Sequence, residues 1–80
     1  MSDHALETAK CLKCLEAIGD LEQYDLPQLH AVRLLLEMTR VHLEGKGMLE
    51  SAVYQHTLNV QEDVSESIEK REALAAGVAA

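Results

Sequence analysis

The sequence has no phenylalanine and no tryptophan, and it has only two tyrosines among its 80 residues. A core built from this chain must therefore be filled by leucine, valine, alanine, isoleucine and methionine. Aliphatic side chains suit helices packed against helices better than they suit a small β-sandwich. A chain of this length forms one domain and buries only about 60–65% of its unfolded surface, so we expect its core to need added support from disulfides, a metal or a second chain. The lack of large aromatic side chains favours the second chain.

Basic residues are scarce, since 7 lysines and arginines stand against 14 acidic residues and give a formal net charge of −7. Phosphate backbones and anionic membrane faces repel a surface of this sign. We therefore expect no direct binding to nucleic acid and no binding to a membrane. An acidic chain can instead meet a basic surface on another protein.

Long apolar runs are missing as well. The longest run within the predicted folded part covers residues 34–36, far short of a membrane span. The first residues carry no basic segment of the kind that opens a signal peptide, so we expect a cytoplasmic protein. There is no glycine-rich phosphate loop, no G-x-S-x-G, no H-E-x-x-H and no EF-hand loop. We therefore expect a protein that is not an enzyme and has no cofactor.

Two helices are predicted in the first half of the chain. Residues 3–18 carry apolar side chains at spacings of three and four, and Gly19 with Asp20 forms a natural stop. For the second helix, at residues 27–44, Asp25 is a suitable N-cap and Pro27 lies in the first turn. Gln28 follows the cap by three residues, as in a capping box. Gly45 is expected at or near the position just after this helix.

The third predicted helix covers residues 48–74, which completes a single helical domain at residues 1–74, and residues 75–80 form a frayed alanine-rich tail. Residues 52–61 also alternate in a way that is compatible with a strand, although a lone strand would have no partner in the chain. At about 1.5 Å per residue the third helix is much longer than the other two. Either it breaks near Asn59, or its far half packs against another copy.

The overall prediction is an all-α fold, an antiparallel helical hairpin plus a longer third helix, forming a dimeric helical bundle. Apolar residues of the second helix form a stripe that exceeds what one neighbouring helix covers. Ordinary core packing is one explanation for this stripe, and a surface that receives a partner or a twin is the other. As the homodimer interface we predict Leu34, Leu35, Met38, Val41, Val53, Val60, Val64 and Ile68.

Acidic residues crowd the third helix. Paired carboxylates do acid–base chemistry only inside a cleft that shifts their pKa values, and on an exposed helix they form a solvated face. The same face could dock a basic partner, and its candidate residues are Glu62, Asp63, Glu66, Glu69 and Glu72. The function that these features favour is a small, non-catalytic interaction or regulatory protein, for example an inhibitor or anti-activator that covers a basic surface.

Cys11 and Cys14 form the one arrangement that looks like a chemical motif, and they suggest an alternative function as a metal- or thiol-dependent module. The pair lies within a predicted helix with no strand before it, unlike a redox CxxC site. The simplest interpretation is that both thiols fill apolar space. The histidines are most simply interpreted as surface side chains. The alternative is that His42 and His56 approach each other across the turn at residues 45–47 and respond to pH.

Residues 2–43 resemble small, uncharacterised bacterial helical-hairpin proteins. The resemblance is carried by small residues and leucines at helical spacing, in Ala-Leu-Glu-Thr-Ala at residues 5–9, Cys-Leu at residues 11–12 and His-Ala-Val-Arg-Leu-Leu at residues 30–35. It covers about half of the chain and implies a fold only, so no site residue is transferred from it.

Overall fold

The computed structural model describes residues 3–77, and every regular element in this range is helical. α1 spans Asp3–Ile18, α2 spans Leu26–Gly45 and α3 spans Ala52–Ala75, with a short 3-10 turn at Leu21–Gln23 between α1 and α2. The all-α prediction is confirmed. No helix among the described residues is long and apolar enough to cross a membrane.

α1 has the predicted bounds, and its end is fixed by Gly19, which adopts a φ of +64°. The carbonyl of Ile18, the last residue of α1, accepts hydrogen bonds from the Gln23 side-chain amide and from the Tyr24 hydroxyl. These bonds satisfy an acceptor that a helix end otherwise leaves open. The chain is thereby turned back on itself before α2 begins.

α2 begins with the predicted capping box. The Asp25 carboxylate accepts from the backbone N–H of Gln28, and the Gln28 side chain accepts from the backbone N–H of Asp25, at 2.9 Å in both cases. Pro27 lies in the first turn, where its missing N–H has no intrahelical partner to lose. The observed helix is one residue longer at each end than the predicted range of 27–44.

The predicted start of the third helix at Met48 is wrong, because a turn occupies residues 46–51 and α3 begins at Ala52 behind the N-cap Ser51. The glycine that ends α2 is Gly47, with a φ of +72°, and Gly45 is still helical. The N–H of Met48 bonds to the carbonyl of Leu43, and that of Gly47 to Glu44. This is a Schellman ending, which turns Met48 into the core.

α3 is continuous through Asn59, so neither the strand alternative nor the break is correct. One narrow stripe of α3 is buried, and it consists of Val53, Thr57, Val64 and Ile68. The polar member is satisfied locally, because the Thr57 hydroxyl donates to the carbonyl of Val53 at 2.8 Å. Of the predicted tail, Ala75 is still helical, residues 76–77 form the closing turn, and residues 78–80 lie outside the described range.

α2 runs antiparallel to both other helices. The start of α1 lies beside the end of α2, where His4 contacts the carbonyl of Lys46, and Tyr54 near the start of α3 bonds to Glu44. Packing is far more extensive between α2 and α3 than between α1 and either of them. The result is a thin rod of 54 × 19 × 16 Å. Its core is formed by the residues on one side of each helix.

Candidate interaction surface

α2 carries two apolar stripes on opposite sides. The first, which we call the inner seam, has members spaced by three and four residues and consists of Leu29, Val32, Leu36, Thr39 and Leu43. Its three leucines are seven residues apart and fully buried, and Val32 packs at the edge of the same core. This spacing is that of a coiled-coil seam, and here the chain's own α1 and α3 cover it.

The second stripe, which we call the outer seam, repeats the same spacing half a turn away. It consists of Pro27, Ala31, Leu34, Met38, Val41 and Gly45. All six residues are exposed, and the three largest side chains keep 58% (Leu34), 61% (Met38) and 54% (Val41) of their accessible surface. A surface helix ordinarily turns polar residues outward, so an uncovered apolar seam of this length is the candidate contact surface of the chain.

Four of the predicted interface residues lie in or beside the outer seam. Leu34, Met38 and Val41 belong to it, and Leu35 is exposed at its edge. The other four lie on α3 and are used differently: Val60 is half-buried against the core, whereas Val53, Val64 and Ile68 are buried in it. For these last three the interface prediction needs correction, because the single stripe of α3 packs onto α2 of the same chain.

The outer seam is a shallow surface depression rather than an enclosed pocket. It is lined by Leu34, Glu37, Met38, Val41 and His42, which all come from one helix. A second, smaller cleft of about 250 Å³ lies between the 3-10 turn and the end of α3, lined by Leu21, Glu22, Ser67, Lys70, Arg71 and Leu74. The first shape suits an elongated protein segment, since small-molecule sites are concave and enclose most of their ligand.

One edge of the outer seam is tied to α1. His42 Nε2 lies 2.6 Å from Glu7 Oε2. The hydrogen bond from His42 holds the pKa of the Glu7 carboxyl below its usual range, against the opposing effect of partial desolvation. This contact fixes the first half of α1 beside α2 and leaves the outer seam uncovered. His42 thus bonds to α1, and both His42 and His56 are exposed, as expected for surface histidines.

The opposite edge of α2 is tied to α3 by a three-residue network that sequence reasoning missed. Glu44 accepts from Arg40 and from the Tyr54 hydroxyl, at 2.7 Å in both cases. The hydrogen bond from Tyr54, followed by that from Arg40, lowers the pKa of Glu44, and the same bond raises the pKa of Tyr54. The i,i+4 spacing of Arg40 and Glu44 was a visible signal, but nothing in the sequence indicated Tyr54.

All five residues of the predicted acidic face are exposed on α3. Glu62, Glu66 and Glu69 recur at spacings of four and three, so they form one line on the solvent side of the helix. Asp63 and Glu72 flank this line on either side, and Glu72 lies 4.0 Å from His30 of α2. The arrangement is a solvated acidic ridge and not a pair of carboxylates facing each other across a cleft.

The two cysteines differ in environment. Cys11 is buried in the core, and burial raises the pKa of its thiol, whereas Cys14 is exposed. Both are free thiols. Across residues 3–77, no group of three or more His, Cys, Asp or Glu side chains is arranged to hold a metal ion.

Comparison with protein-family models, with curated proteins and with solved structures finds nothing that matches this chain. The resemblance of residues 2–43 to small bacterial helical-hairpin proteins therefore stays a prediction.

Proposed function

We propose that this chain is a non-catalytic protein–protein interaction module of a regulatory kind, which contacts protein through the outer seam of α2. The observation that carries the proposal is the exposure of Leu34, Met38 and Val41 on the same helix whose other side forms the core. A partner bound to this seam would bury apolar surface, and each Å² removed from water stabilises the complex by about 25 cal/mol. Such a helix face in contact with a partner helix is a common recognition mode.

The acidic ridge of α3 supplies a second contact in this proposal. Glu62, Glu66 and Glu69 point away from the core and suit a basic surface on another protein. Charge of this kind accelerates encounter and selects partners more than it adds final affinity. One concrete form of the function is an inhibitor or anti-activator that covers the basic surface of a nucleic-acid-binding protein.

The contact through α2 is tested by photo-cross-linking in cells of the source organism. A benzoylphenylalanine side chain replaces Met38 in one variant and Lys13, an exposed residue of α1, in the control. We expect discrete protein adducts from position 38 and not from position 13. Equal adduct patterns from both positions, or none from position 38, would contradict the proposal.

The acidic ridge is tested separately by removing charge. We expect the combined change Glu62→Gln, Glu66→Gln and Glu69→Gln to slow association with a basic protein captured by the same photo-cross-linker placed on the ridge at Asp63, most strongly at low salt, because exposed charges act over a screening length of about 10 Å at 0.1 M salt. Stopped-flow association at several salt concentrations measures the effect. An association rate and salt dependence equal to those of the wild type would rule out the ridge as a docking surface.

A further inference from the structure

We infer that the partner of the outer seam is a second copy of this chain, and that the two α2 helices meet antiparallel around a twofold axis level with Leu36. The inference rests on the proposed function, because it names the occupant of the same surface. Twofold dimers of this kind place one patch of each copy against the same patch of the other.

The outer seam is self-complementary in volume when it runs antiparallel to itself. In that register Ala31 faces Val41 of the second copy, Leu34 faces Met38, and Pro27 faces Gly45. The Ala31–Val41 and Pro27–Gly45 layers then pair a small residue with a larger one, as interdigitated packing requires, and the central layers pair Leu34 with Met38, which are similar in size. A parallel pair would stack Ala31 on Ala31 and Met38 on Met38, which leaves a gap in one layer and crowding in another.

The charges around the outer seam do not select a basic helix from another protein. None of the six seam residues is charged. On one flank α2 presents Gln28, Leu35 and His42, and the nearby carboxylate of Glu7 is already bonded to His42. On the other flank Glu44 already pairs with Arg40, so Glu37 is the one remaining carboxylate. A basic helix would need acidic residues on both flanks, whereas a second copy needs an apolar seam with little charge.

The flanks also fit the antiparallel register. Leu35 comes opposite Leu35 beside the twofold axis, whereas His30 and Glu44 are already engaged with Glu72 and Tyr54 of α3 in the same chain. The unfavourable pair is Glu37 with Glu37, since like charges that face each other on helices are destabilising by a few tenths of a kcal/mol. This pair gives the register a signature that a parallel dimer lacks, because Glu37 would there lie near His42.

The net charge of −7 does not oppose this mode of pairing. Each copy presents its acidic ridge on α3, which packs on the side of α2 away from the outer seam. With neighbouring helices 8–10 Å apart, the two ridges are separated by roughly 30 Å, several times the screening length of about 8 Å at physiological salt. Pairing through α3 would instead bring the ridges together.

The area of the outer seam matches a weak, specific dimer. Residues 27–45 extend over about 27 Å of helix, and half of a helix about 11 Å across presents about 450–500 Å² of face over that length. Two copies would therefore bury about 1,000 Å², the lower end for a specific interface. We expect a dimer that dissociates on dilution.

The first test measures mass by light scattering or sedimentation on the full chain across a concentration series. We expect a shift from 8.8 kDa to twice that mass, abolished by Met38→Glu and retained by Gln55→Glu, which adds the same charge to an exposed site on α3. Circular dichroism establishes that both variants stay helical. A dimer that tolerates Met38→Glu would overturn the inference.

The second test determines the relative direction of the two α2 helices from the distance between two spin labels. One label is attached to each copy at Lys46→Cys, in a background of Cys11→Ala and Cys14→Ser. In the antiparallel register the two labels are separated by twenty residues of helix, or roughly 30 Å, whereas a parallel pair holds them roughly 10 Å apart. The shorter distance would overturn the antiparallel register. Glu37→Gln should tighten the dimer about twofold, the size of one exposed like-charge pair, and the control Glu62→Gln should leave it unchanged.

Failure of this inference is separable from failure of the proposed function. A mass of 8.8 kDa at every concentration would overturn the second copy as occupant. Adducts between position 38 and a different protein would then still support an interaction module. Adducts of twice the chain mass at position 38, together with a dimer in vitro, would support both.

Discussion

The two sides of α2 have nearly the same spacing of apolar residues, but one side is buried and the other is exposed. The inner seam and the outer seam both repeat at spacings of three and four, and each holds leucine or another aliphatic side chain in most of its layers. Leu36 on the inner seam is 1% exposed, whereas Leu34, two residues earlier, is 58% exposed. The difference comes from α1 and α3, which both pack against the inner side of α2.

This comparison teaches that periodicity identifies which residues share a helix face but not which face becomes the core. α1 and α3 each contribute one narrow buried stripe, so together they can cover one side of α2 and no more. A helix that is apolar all round is ordinarily buried. In the interaction module that we propose, this mismatch leaves the outer seam already formed and aligned before a partner binds.

The largest expected effect is a difference in stability when the same change, leucine to alanine, is made on the inner seam and on the outer seam of α2. Leu36→Ala removes a fully buried side chain and should cost about 2–5 kcal/mol of unfolding free energy. Leu34→Ala removes a side chain from the exposed side, and at a concentration where the chain is monomeric it should change that free energy by no more than about 0.5 kcal/mol. Urea unfolding of both variants, followed by circular dichroism, measures the difference.

The ranking of the two variants reverses when the dimerisation constant of the folded chain is measured instead of its stability. Leu34→Ala should weaken dimerisation, while the loss caused by Leu36→Ala should follow from unfolding and disappear when the folded fraction is restored by a stabilising osmolyte. Equal losses of stability in the two variants would show that Leu34 is buried in the monomer, and the account of the two seams would then be wrong.

A smaller effect concerns the edge of the inner seam, where Glu44 joins α2 to α3. Hydrogen bonds from Tyr54 and Arg40 lower the pKa of Glu44 in the fold. A carboxyl with a lowered pKa stabilises the fold above its ordinary pKa, and this contribution is lost as pH falls through the folded value. Tyr54→Phe should therefore destabilise the chain at neutral pH, and the difference from wild type should shrink in acid.

Tyr24→Phe is the matched control for that prediction. The Tyr24 hydroxyl donates to the carbonyl of Ile18, which does not titrate, so the loss of stability in this variant should be the same at neutral pH and in acid. Urea unfolding at the two pH values measures both variants. A pH-independent loss in Tyr54→Phe would show that its bond to Glu44 does not govern the acid response.

Much of the fold could be predicted because its signals are local. The spacing of apolar residues and the stop at Gly19 define α1, and Asp25, Pro27 and Gln28 define the start of α2 by short-range hydrogen bonding. The start of α3 could not be predicted in this way. The two glycines at positions 45 and 47 are compatible with several ways of ending α2. The Schellman turn at Gly47 is selected by the packing of Met48 in the core, and this turn delays the start of α3.

The candidate site was predicted in part, for a related reason. Leu34, Met38 and Val41 were recognised as an apolar patch, but the sequence left open whether the patch was core or surface. Val53 and Val64 were assigned to an interface because a stripe on a long helix looks the same whichever chain covers it. Contacts such as Tyr54 with Glu44 depend on how two helices are aligned, which residue spacing does not encode.

Two methionines of the same chain offer the most direct test of the central claim. Met38 lies on the outer seam and is 61% exposed, whereas Met48 is 4% exposed in the core. Peroxide converts an accessible methionine to its sulfoxide, and peptide mass spectrometry follows each site. In dilute purified protein Met38 should oxidise much faster than Met48. In cells we predict that Met38 becomes protected to nearly the level of Met48, because a protein covers the outer seam; equal oxidation of Met38 in cells and in dilute solution would contradict the account.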